Sequence, residues 1–205
     1  MNKLNNTKFY KISENNIDLQ DIFEIGLTFD NLNRLKMPRR ATKGSAGYDF
    51  FSPYDFTLKP GETVKIPTLI RCQIDEGFVL KIYPRSSYGF KYKARLDNTV
   101  GIIDQDYFNA KNEGHIWIKI TNTGDKVLDI KEGDAFCQGI FVQYFVTCDD
   151  DATGERTGGI GSTSEKPIPT KECPTCVDDL YAMDPIEQAL MNDESFIEGL
   201  CSLWE

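Results

Sequence analysis

Five short segments of the chain are richer in glycine, serine, arginine and aspartate than strand connections require. Arginine and serine donate hydrogen bonds to phosphate, glycine allows close backbone approach, and aspartate can act as a base toward water. Taken singly, each segment is an ordinary turn or loop. In chain order they are Ala46-Gly-Tyr-Asp-Phe50, Pro84-Arg-Ser-Ser87, Gly101-Ile-Ile-Asp-Gln-Asp-Tyr107, Gly133-Asp-Ala-Phe-Cys-Gln138 and Arg156-Thr-Gly-Gly-Ile-Gly-Ser-Thr163.

Two of these segments suit the binding of a polyanion. The Arg85 guanidinium can hold a phosphate through two parallel hydrogen bonds, and Ser86 and Ser87 add hydroxyl and backbone donors. In the last segment, the glycines after Arg156 let backbone amides approach phosphates. A surface salt bridge for Arg85 and a flexible linker for the last segment are the competing interpretations. No Walker sequence occurs, which argues against a P-loop nucleotide site.

The elements that must position these residues are predicted to be strands. From about residue 25 to 148, apolar runs alternate with turn clusters, which is typical of an all-β domain over residues 24–148. In 115–122, Ile116, Ile118 and Ile120 share one face of a strand, opposite Trp117 and Lys119. Residues 139–146 are predicted to form a strand buried on both faces. Residues 1–23 form a polar N-terminal extension, either a loose arm or a short helix.

The composition changes after Cys148. Residues 149–166 contain almost nothing to bury, so they are predicted to form a flexible glycine-rich arm. Residues 167–205 form an acidic tail with nine acidic residues against Lys171 alone. Asp184-Pro-Ile-Glu187 is a helix-start pattern, and a second short helix is predicted around 193–203. The tail is therefore a short helical appendage and a candidate surface for a protein partner.

Charge and composition exclude several classes of protein. The net charge of −9 argues against nucleic acid or an anionic membrane as a general partner. No apolar run is long enough for a membrane span or a signal peptide, so a cytoplasmic protein is expected and its six cysteines should be thiols. Cys173-Pro-Thr-Cys176 is only half of a zinc-ribbon pattern. The presence of a single histidine, His115, argues against a Ser-His-Asp or multi-histidine metal site.

The order and spacing of the five segments resemble the five motifs of the trimeric dUTPases, over about residues 28–164. The resemblance implies a distorted β jelly roll of the dUTPase-like β-clip type. It also implies a homotrimer whose active sites are shared between subunits. The implied reaction is Mg²⁺-dependent hydrolysis of dUTP to dUMP and pyrophosphate, a step of nucleotide metabolism.

The third motif carries the implied chemistry and the recognition of deoxyuridine. Asp104 matches the aspartate that activates the attacking water, whereas Asp106 is expected to point the other way on an extended segment. Tyr107 matches the tyrosine that packs under the deoxyribose and excludes a 2′-hydroxyl. Asn98 matches a uracil-contacting asparagine, and backbone groups of residues 101–107, including Gly101 and Ile103, are expected to contact the base.

The other motifs are implied to contact the phosphates. The substrate-binding residues expected there are Arg85, Ser86, Ser87, Gln138, Arg156, Gly159, Ile160, Gly161 and Ser162. No direct protein ligand for Mg²⁺ is expected, because the ion should arrive with the triphosphate. Asp49 is expected to reach it through water, or else to cap a turn.

Three features depart from the family pattern. The short turn after the motif tyrosine is replaced by a longer segment, 108–113, which is expected to lengthen a hairpin tip. In the fifth motif, Arg156 is one residue closer to the glycines, and Ile160 replaces the aromatic residue that covers the uracil. Ile160 can exclude water but cannot stack on a base, so weaker binding is expected. The acidic tail has no counterpart in the family core.

Two alternatives stay open. A dCTP deaminase has a related fold and an arginine-serine motif, but Lys119 stands here at the position that matches its glutamate, which disfavours this alternative. A non-enzymatic or moonlighting regulatory protein of the phage type would use the same body, arm or tail to bind a partner. That role can coexist with catalysis.

Overall fold

The computed structural model describes residues 4–154, 156 and 158. They fall into two units: residues 4–145 with 154, 156 and 158 belong to the first, and residues 146–153 to the second. The helices are α1 (Leu19–Glu24), α2 (Phe29–Arg34) and α3 (Ser86–Tyr92), with a 3-10 helix over Gln105–Asn109. The strands are β1 (Lys8–Lys11), β2 (Tyr48–Phe51), β3 (Phe56–Leu58), β4 (Thr63–Pro67), β5 (Ile70–Gln73), β6 (Phe78–Pro84), β7 (Ala94–Leu96), β8 (Gly101–Ile103), β9 (Trp117–Asn122), β10 (Leu128–Ile130) and β11 (Ala135–Gln143).

The first unit is built from antiparallel sheets. One has the order β2-β11-β6-β8 and another the order β4-β9-β7, while β1 pairs with β5 and β3 with β10. Short strands with few and short helices confirm the predicted all-β, jelly-roll class. Among the described residues, no helix is long and apolar enough to cross a membrane.

The alternation predicted for β9 is confirmed. Ile116, Ile118 and Ile120 are all at most 3% exposed, so this face of the strand enters the core. The opposite face carries Trp117 and Lys119, which are only partly buried or exposed. The period-two pattern therefore aims these two side chains out of the core, toward the site described below.

The strand predicted over residues 139–146 begins and ends earlier than expected. β11 starts at Ala135, and its ladder with β6 ends where Gln143 pairs with Phe78, the first residue of β6. The chain beyond has no partner strand among the described residues, and Phe145 is 85% exposed. At Gly139, strand β11 packs so closely against β6 that a Cβ atom on this residue would stand 2.8 Å from Leu80 Cδ1.

The N-terminal extension is an integral part of the first unit. Residues 8–11 form β1 rather than a loose arm, and α1 follows it. Ile12 and Ile22 are 3% and 2% exposed and belong to the hydrophobic core. Their burial ties the segment to the domain because apolar side chains of this size stabilise a fold by about 1.5–3 kcal/mol each.

The segment after Tyr107 is not a hairpin tip. Among the described strands, β8 pairs only with β6, whereas β9 pairs with β4 and β7. Residues 105–109 form a 3-10 helix, so Asp106 does not lie on an extended segment as expected. The chain then turns at Gly114, whose φ of +71° and close approach to the Tyr107 carbonyl both require glycine.

The cysteines do not all follow the prediction of free thiols. Cys72 and Cys137 are free and buried, and burial raises the pKa of both thiols, so they are inert core residues. Cys148 is disulfide-bonded, which contradicts the prediction at that position.

Candidate active site

A cavity of about 310 Å³ opens beside β8 and β9 in the first unit. Five of the residues predicted to bind the substrate contribute to its lining. They are Asn98, Gly101, Ile103, Tyr107 and Arg156. These residues come from two separate parts of the chain, 98–107 and Arg156, so the fold brings the third motif and the arginine of the fifth motif together.

Gly101 sets the depth of the cavity on the side of β6. It pairs with Ile82, and a Cβ at this position would stand only 3.1 Å from the Ile82 Cβ and 4.0 Å from Asn98 Nδ2. A Cβ here would crowd Ile82, whereas its distance from the Asn98 amide is an ordinary van der Waals contact. Glycine therefore favours the close packing of β8 against β6.

Tyr107 is fixed in the wall of the cavity. Its residue is 4% exposed, its hydroxyl donates to the His115 carbonyl oxygen at 2.8 Å, and it accepts a hydrogen bond from Asn112 Nδ2 at 3.1 Å. Burial raises the pKa of this hydroxyl, so it remains a donor at neutral pH. A buried ring that is anchored at its hydroxyl gives the cavity a wall of constant shape.

Asp104 follows the last residue of β8 and lies in the sequence between Ile103 and Tyr107, which both line the cavity. It occupies the N-cap position of the 3-10 helix, but its side chain makes no capping hydrogen bond. Its carboxylate instead accepts a hydrogen bond from Arg156 Nη1 at 2.9 Å, and its side chain is 50% exposed. A carboxylate held this way is accessible to water, as a general base must be.

Arg156 joins the two acidic residues of the third motif. The same Nη1 atom also contacts Asp106 Oδ1 at 3.3 Å, and the guanidinium lies 5.2 Å from the Tyr107 ring centroid. The arginine side chain is 12% exposed, and its Nε has no hydrogen-bond partner among the described atoms. Arg156 thus ties the two acidic residues of the third motif together through a single nitrogen.

A second group of predicted residues gathers at the far end of β6. Arg85 Nε lies 3.4 Å from Asp49 Oδ1, and Gln138 pairs with Asp49 in the ladder between β2 and β11. Gln138 Nε2 donates to the Pro84 carbonyl oxygen at 3.4 Å. Ser86 and Ser87 open helix α3 directly after Arg85. The first, second and fourth motifs thus converge on one place.

The two groups of residues are far apart within one chain. Extending the register of β8 by one residue places Asp104 opposite Val79, because Ile103 pairs with Leu80. Arg85 lies six residues beyond Val79 along the course of β6, which corresponds to about 20 Å at roughly 3.3 Å per residue. An arginine side chain does not span that distance, so Arg85 and Asp104 of one chain cannot hold neighbouring atoms of one ligand.

Four polar or aromatic residues of the cavity were not predicted to bind the substrate: Lys65, Asp97, Trp117 and Lys119. Lys65 Nζ lies 4.0 Å from the Trp117 ring centroid, and Lys119 Nζ forms an ion pair with Asp97 at 2.9 Å. The alternation of β9 placed Trp117 and Lys119 on one face. It contained no sign that this face borders a cavity.

Some predicted residues lie outside the part of the chain that the structure describes. They are Gly159, Ile160, Gly161 and Ser162 of the fifth motif, together with the acidic tail, residues 167–205. Among the described residues, no cluster of three or more histidine, cysteine or acidic side chains is arranged to hold a metal ion.

Known proteins resemble this chain in both sequence and structure. A family profile described as dUTPase matches residues 33–164. The deoxyuridine 5'-triphosphate nucleotidohydrolase of Lactococcus lactis subsp. lactis is 38% identical over 144 residues, which are 69% of this chain and 95% of that protein. The dUTPase of Streptococcus mutans is 31% identical with a TM-score of 0.53, over 68% of this chain and 97% of that one.

A more distant structure shows the fold alone. The dUTPase of phage phi11 of S. aureus, described with a structural Mg(II) ion, is 23% identical with a TM-score of 0.53. The alignment covers 73% of this chain and 98% of the phage protein.

Proposed function

This chain belongs to the dUTPase family, and from that premise we propose that it is a dUTP diphosphatase, which hydrolyses dUTP to dUMP and pyrophosphate. The observation that carries this proposal is the cavity beside β8. Asn98, Tyr107 and Arg156 line it, and Arg156 is paired with a water-accessible Asp104, which supports the roles that the third motif implies.

Deoxyuridine occupies this cavity in the proposed complex. The Asn98 amide and the backbone of β8 offer donors and acceptors to the edge of the uracil. The Tyr107 ring packs under the deoxyribose. Because the ring is buried and its hydroxyl is hydrogen-bonded, it cannot swing aside for a 2′-hydroxyl. UTP is therefore excluded by volume.

Asp104 acts as the general base in the proposed reaction. Its carboxylate accepts a proton from a water molecule and orients that water toward the α-phosphorus, opposite the leaving pyrophosphate. Arg156, which holds Asp104 and Asp106 through Nη1, donates hydrogen bonds to the phosphates when the triphosphate is bound. Water attack then breaks the bond between the α-phosphorus and the bridging oxygen, and both electrons of that bond leave with pyrophosphate.

A neighbouring subunit supplies the remaining phosphate contacts. The separation of about 20 Å between Arg85 and Asp104 along β6 supports this proposal, since the two residues of one chain cannot serve one site. We therefore propose a homotrimer whose sites combine the third motif of one chain with Arg85, Ser86, Ser87 and Gln138 of another. Exposed apolar side chains support an assembled state: Phe90 is 88% exposed and Phe145 85% exposed.

Mg²⁺ is proposed to enter with the substrate. The ion prefers oxygen ligands and retains several waters, so triphosphate oxygens with Asp49 acting through water suit it better than a protein cage. The Asp49 carboxylate lies beside Arg85 at the phosphate end and offers the oxygen atoms that Mg²⁺ prefers. When bound, Mg²⁺ would neutralise charge on the triphosphate.

The geometry does not favour deamination of dCTP. Lys119 lines the cavity at the position where the deaminase glutamate is expected, and its ammonium is paired with Asp97. An ammonium held in this way has no lone pair for proton transfer. The regulatory alternative rests on the arm and the tail, which lie largely outside the described residues, so it stays a prediction.

One assay tests the proposed function. Purified protein is given dUTP, dCTP or UTP with Mg²⁺, and pyrophosphate and ammonia are measured separately. The expected result is pyrophosphate from dUTP alone. Ammonia from dCTP would establish a deaminase instead, and no product at micromolar enzyme would favour a protein without this activity.

A further inference from the structure

The N-terminal segment, residues 4–18, reaches the back of the cavity. It is held there from several directions: Asn16 Nδ2 donates to the Asn112 carbonyl oxygen at 2.8 Å, and the Ser13 backbone donates to Glu113 Oε2 at 3.0 Å. Both acceptors lie in the segment after Tyr107 that is longer than the family pattern. The N-terminal segment and this longer segment therefore pack against each other.

Asp18 ends this segment and accepts three side-chain hydrogen bonds on one oxygen. The donors to Oδ2 are His115 Nδ1 at 2.7 Å, Trp117 Nε1 at 2.8 Å and Asn112 Nδ2 at 3.3 Å. Burial alone would raise the pKa of Asp18, but these donors outweigh it and the pKa is lowered. At neutral pH the group is therefore a carboxylate and accepts all three bonds.

The histidine in this network is neutral and has a defined tautomer. Its Nε2 accepts a hydrogen bond from the Leu69 backbone at 3.1 Å, so the proton is on Nδ1 and is donated to Asp18. Leu69 itself has a φ of +59°, a left-handed conformation that leucine rarely adopts. The Ile12 backbone fixes it from the other side by donating to the Leu69 carbonyl at 3.1 Å. The N-terminal segment thus holds the histidine in place as well.

Each residue that donates to Asp18 either lines the cavity with an aromatic ring or is hydrogen-bonded to a residue that does. Trp117 is itself a wall, and Asp18 anchors its indole nitrogen while Lys65 covers a ring face. Asn112 also donates to the Tyr107 hydroxyl, which in turn donates to the His115 carbonyl. One carboxylate is therefore linked to Trp117 directly and to Tyr107 through Asn112, without lining the cavity.

We propose that Asp18 is a positioning residue that fixes Tyr107 and Trp117, and that Trp117 is a further specificity residue for the deoxynucleoside. This inference rests on the proposed function for the nature of the ligand. It assigns to the N-terminal segment the role of holding Trp117 on β9 as a rigid aromatic wall that contacts the nucleoside. In this chain the fifth motif carries Ile160 at the position where the family has an aromatic residue.

The test uses full-length protein in which Trp117 is the only tryptophan. The chain has two tryptophans, and Trp204→Phe removes the other, which lies outside the described residues. In this background Asp18→Ala removes the acceptor, and Asp18→Asn retains an acceptor oxygen without the charge. The matched control is Asp75→Ala, because Asp75 accepts hydrogen bonds from the Asn6 backbone and so also ties down the N-terminal segment, but does not line the cavity.

Three quantities are measured for each variant: kcat and KM for dUTP, quenching of Trp117 fluorescence by acrylamide in the free protein, and the change in that fluorescence on titration with dUMP. For Asp18→Ala, KM should rise about tenfold with kcat changed less than about threefold, as expected for loss of a charged hydrogen bond that shapes binding. Quenching should increase. Asp18→Asn should recover part of both properties, and Asp75→Ala should match the parent.

A lower melting temperature in Asp18→Ala with unchanged KM and unchanged quenching would overturn the proposal, because the role would then be structural only. If Asp18→Ala does not fold, Asp18→Asn and Trp117→Phe decide: raised KM in both supports the proposal, and parental KM in both overturns it. Quenching in the free protein does not depend on the substrate. A parent protein that fails to hydrolyse dUTP therefore refutes the proposed function and leaves the positioning test intact.

Discussion

The two ends of the candidate site differ in how completely one chain builds them. At the nucleoside end, Tyr107 is 4% exposed and is joined to Asp18 through Asn112 in a partly buried polar network. At the phosphate end, the Arg85 side chain is 39% exposed, and its ion pair within the described part of the chain is a 3.4 Å contact with Asp49. A neutral base and sugar are recognised by shape, which requires rigid walls. A polyanion attracts charged side chains that remain solvated until it arrives, so these can come from another subunit.

The largest loss of turnover is expected when Asp104, the proposed general base, is substituted. Asp104→Asn retains the shape of the side chain but removes its basicity, so kcat for dUTP should fall roughly 10²-fold or more. Nucleotide affinity should remain close to that of the unmodified protein. The matched control is Asp106→Asn, since both carboxylates contact Arg156 but only Asp104 is assigned the base. Equal losses in the two variants would contradict that assignment.

A smaller effect is expected from removing the sugar wall. Tyr107→Ala should lower the ratio of kcat/KM for dUTP over UTP by roughly tenfold, because the exclusion depends on ring volume. Tyr107→Phe keeps the volume but loses the hydrogen bonds to His115 and Asn112, so it should preserve most of the ratio. An unchanged ratio in Tyr107→Ala would place sugar discrimination elsewhere.

The rigidity of the nucleoside end should also be visible in the dependence of stability on pH. Burial lowers the pKa of His115 below its usual value, although Asp18 opposes this, so the folded state keeps the imidazole neutral. Below about pH 6.5 the unfolded chain binds a proton that the folded chain excludes. The free energy of unfolding should therefore fall with decreasing pH by at most about 1.4 kcal/mol per unit, beginning near pH 6.5.

Denaturant titrations between pH 5 and 7, at fixed protein concentration, measure this slope. His115 is the only histidine, so His115→Asn, which keeps a donor toward Asp18, should flatten the curve in this range. A slope that persists in His115→Asn would show that another group excludes the proton.

The smallest effect is expected from the acidic tail. It follows the last motif and its net charge of −8 would repel a triphosphate rather than hold it. Truncation after Lys166 should therefore leave kcat and KM for dUTP within about twofold of the full chain. A large fall in kcat would show that the tail shapes the site or the assembly.

Much of the nucleoside end could be predicted from the sequence, because its motif is local. Their spread in the sequence is only ten residues for Asn98, Gly101, Ile103 and Tyr107. Strand β8, which carries Gly101 and Ile103, orients this part of the chain. The role of Asp18 could not be predicted, because its partners are about a hundred residues away and nothing in a polar N-terminal stretch indicates a docked strand. The predicted hairpin after Tyr107 failed for a related reason: the path of 108–113 depends on contacts with residues 13–18, which are distant in sequence.

The central claim is that a complete site needs two different chains, and complementation tests it most directly. Chains carrying Asp104→Asn are co-refolded with chains carrying Arg85→Ala at equal concentrations, and mixed trimers are verified by native mass spectrometry. Each parent should retain no more than roughly a hundredth of the unmodified turnover of dUTP. If Asp104 and Arg85 of one site come from neighbouring chains, random mixing should restore about a quarter of the unmodified turnover, since one site in four then combines both intact residues. If they come from the same chain, no site can contain both, and verified mixed trimers without activity would contradict the account.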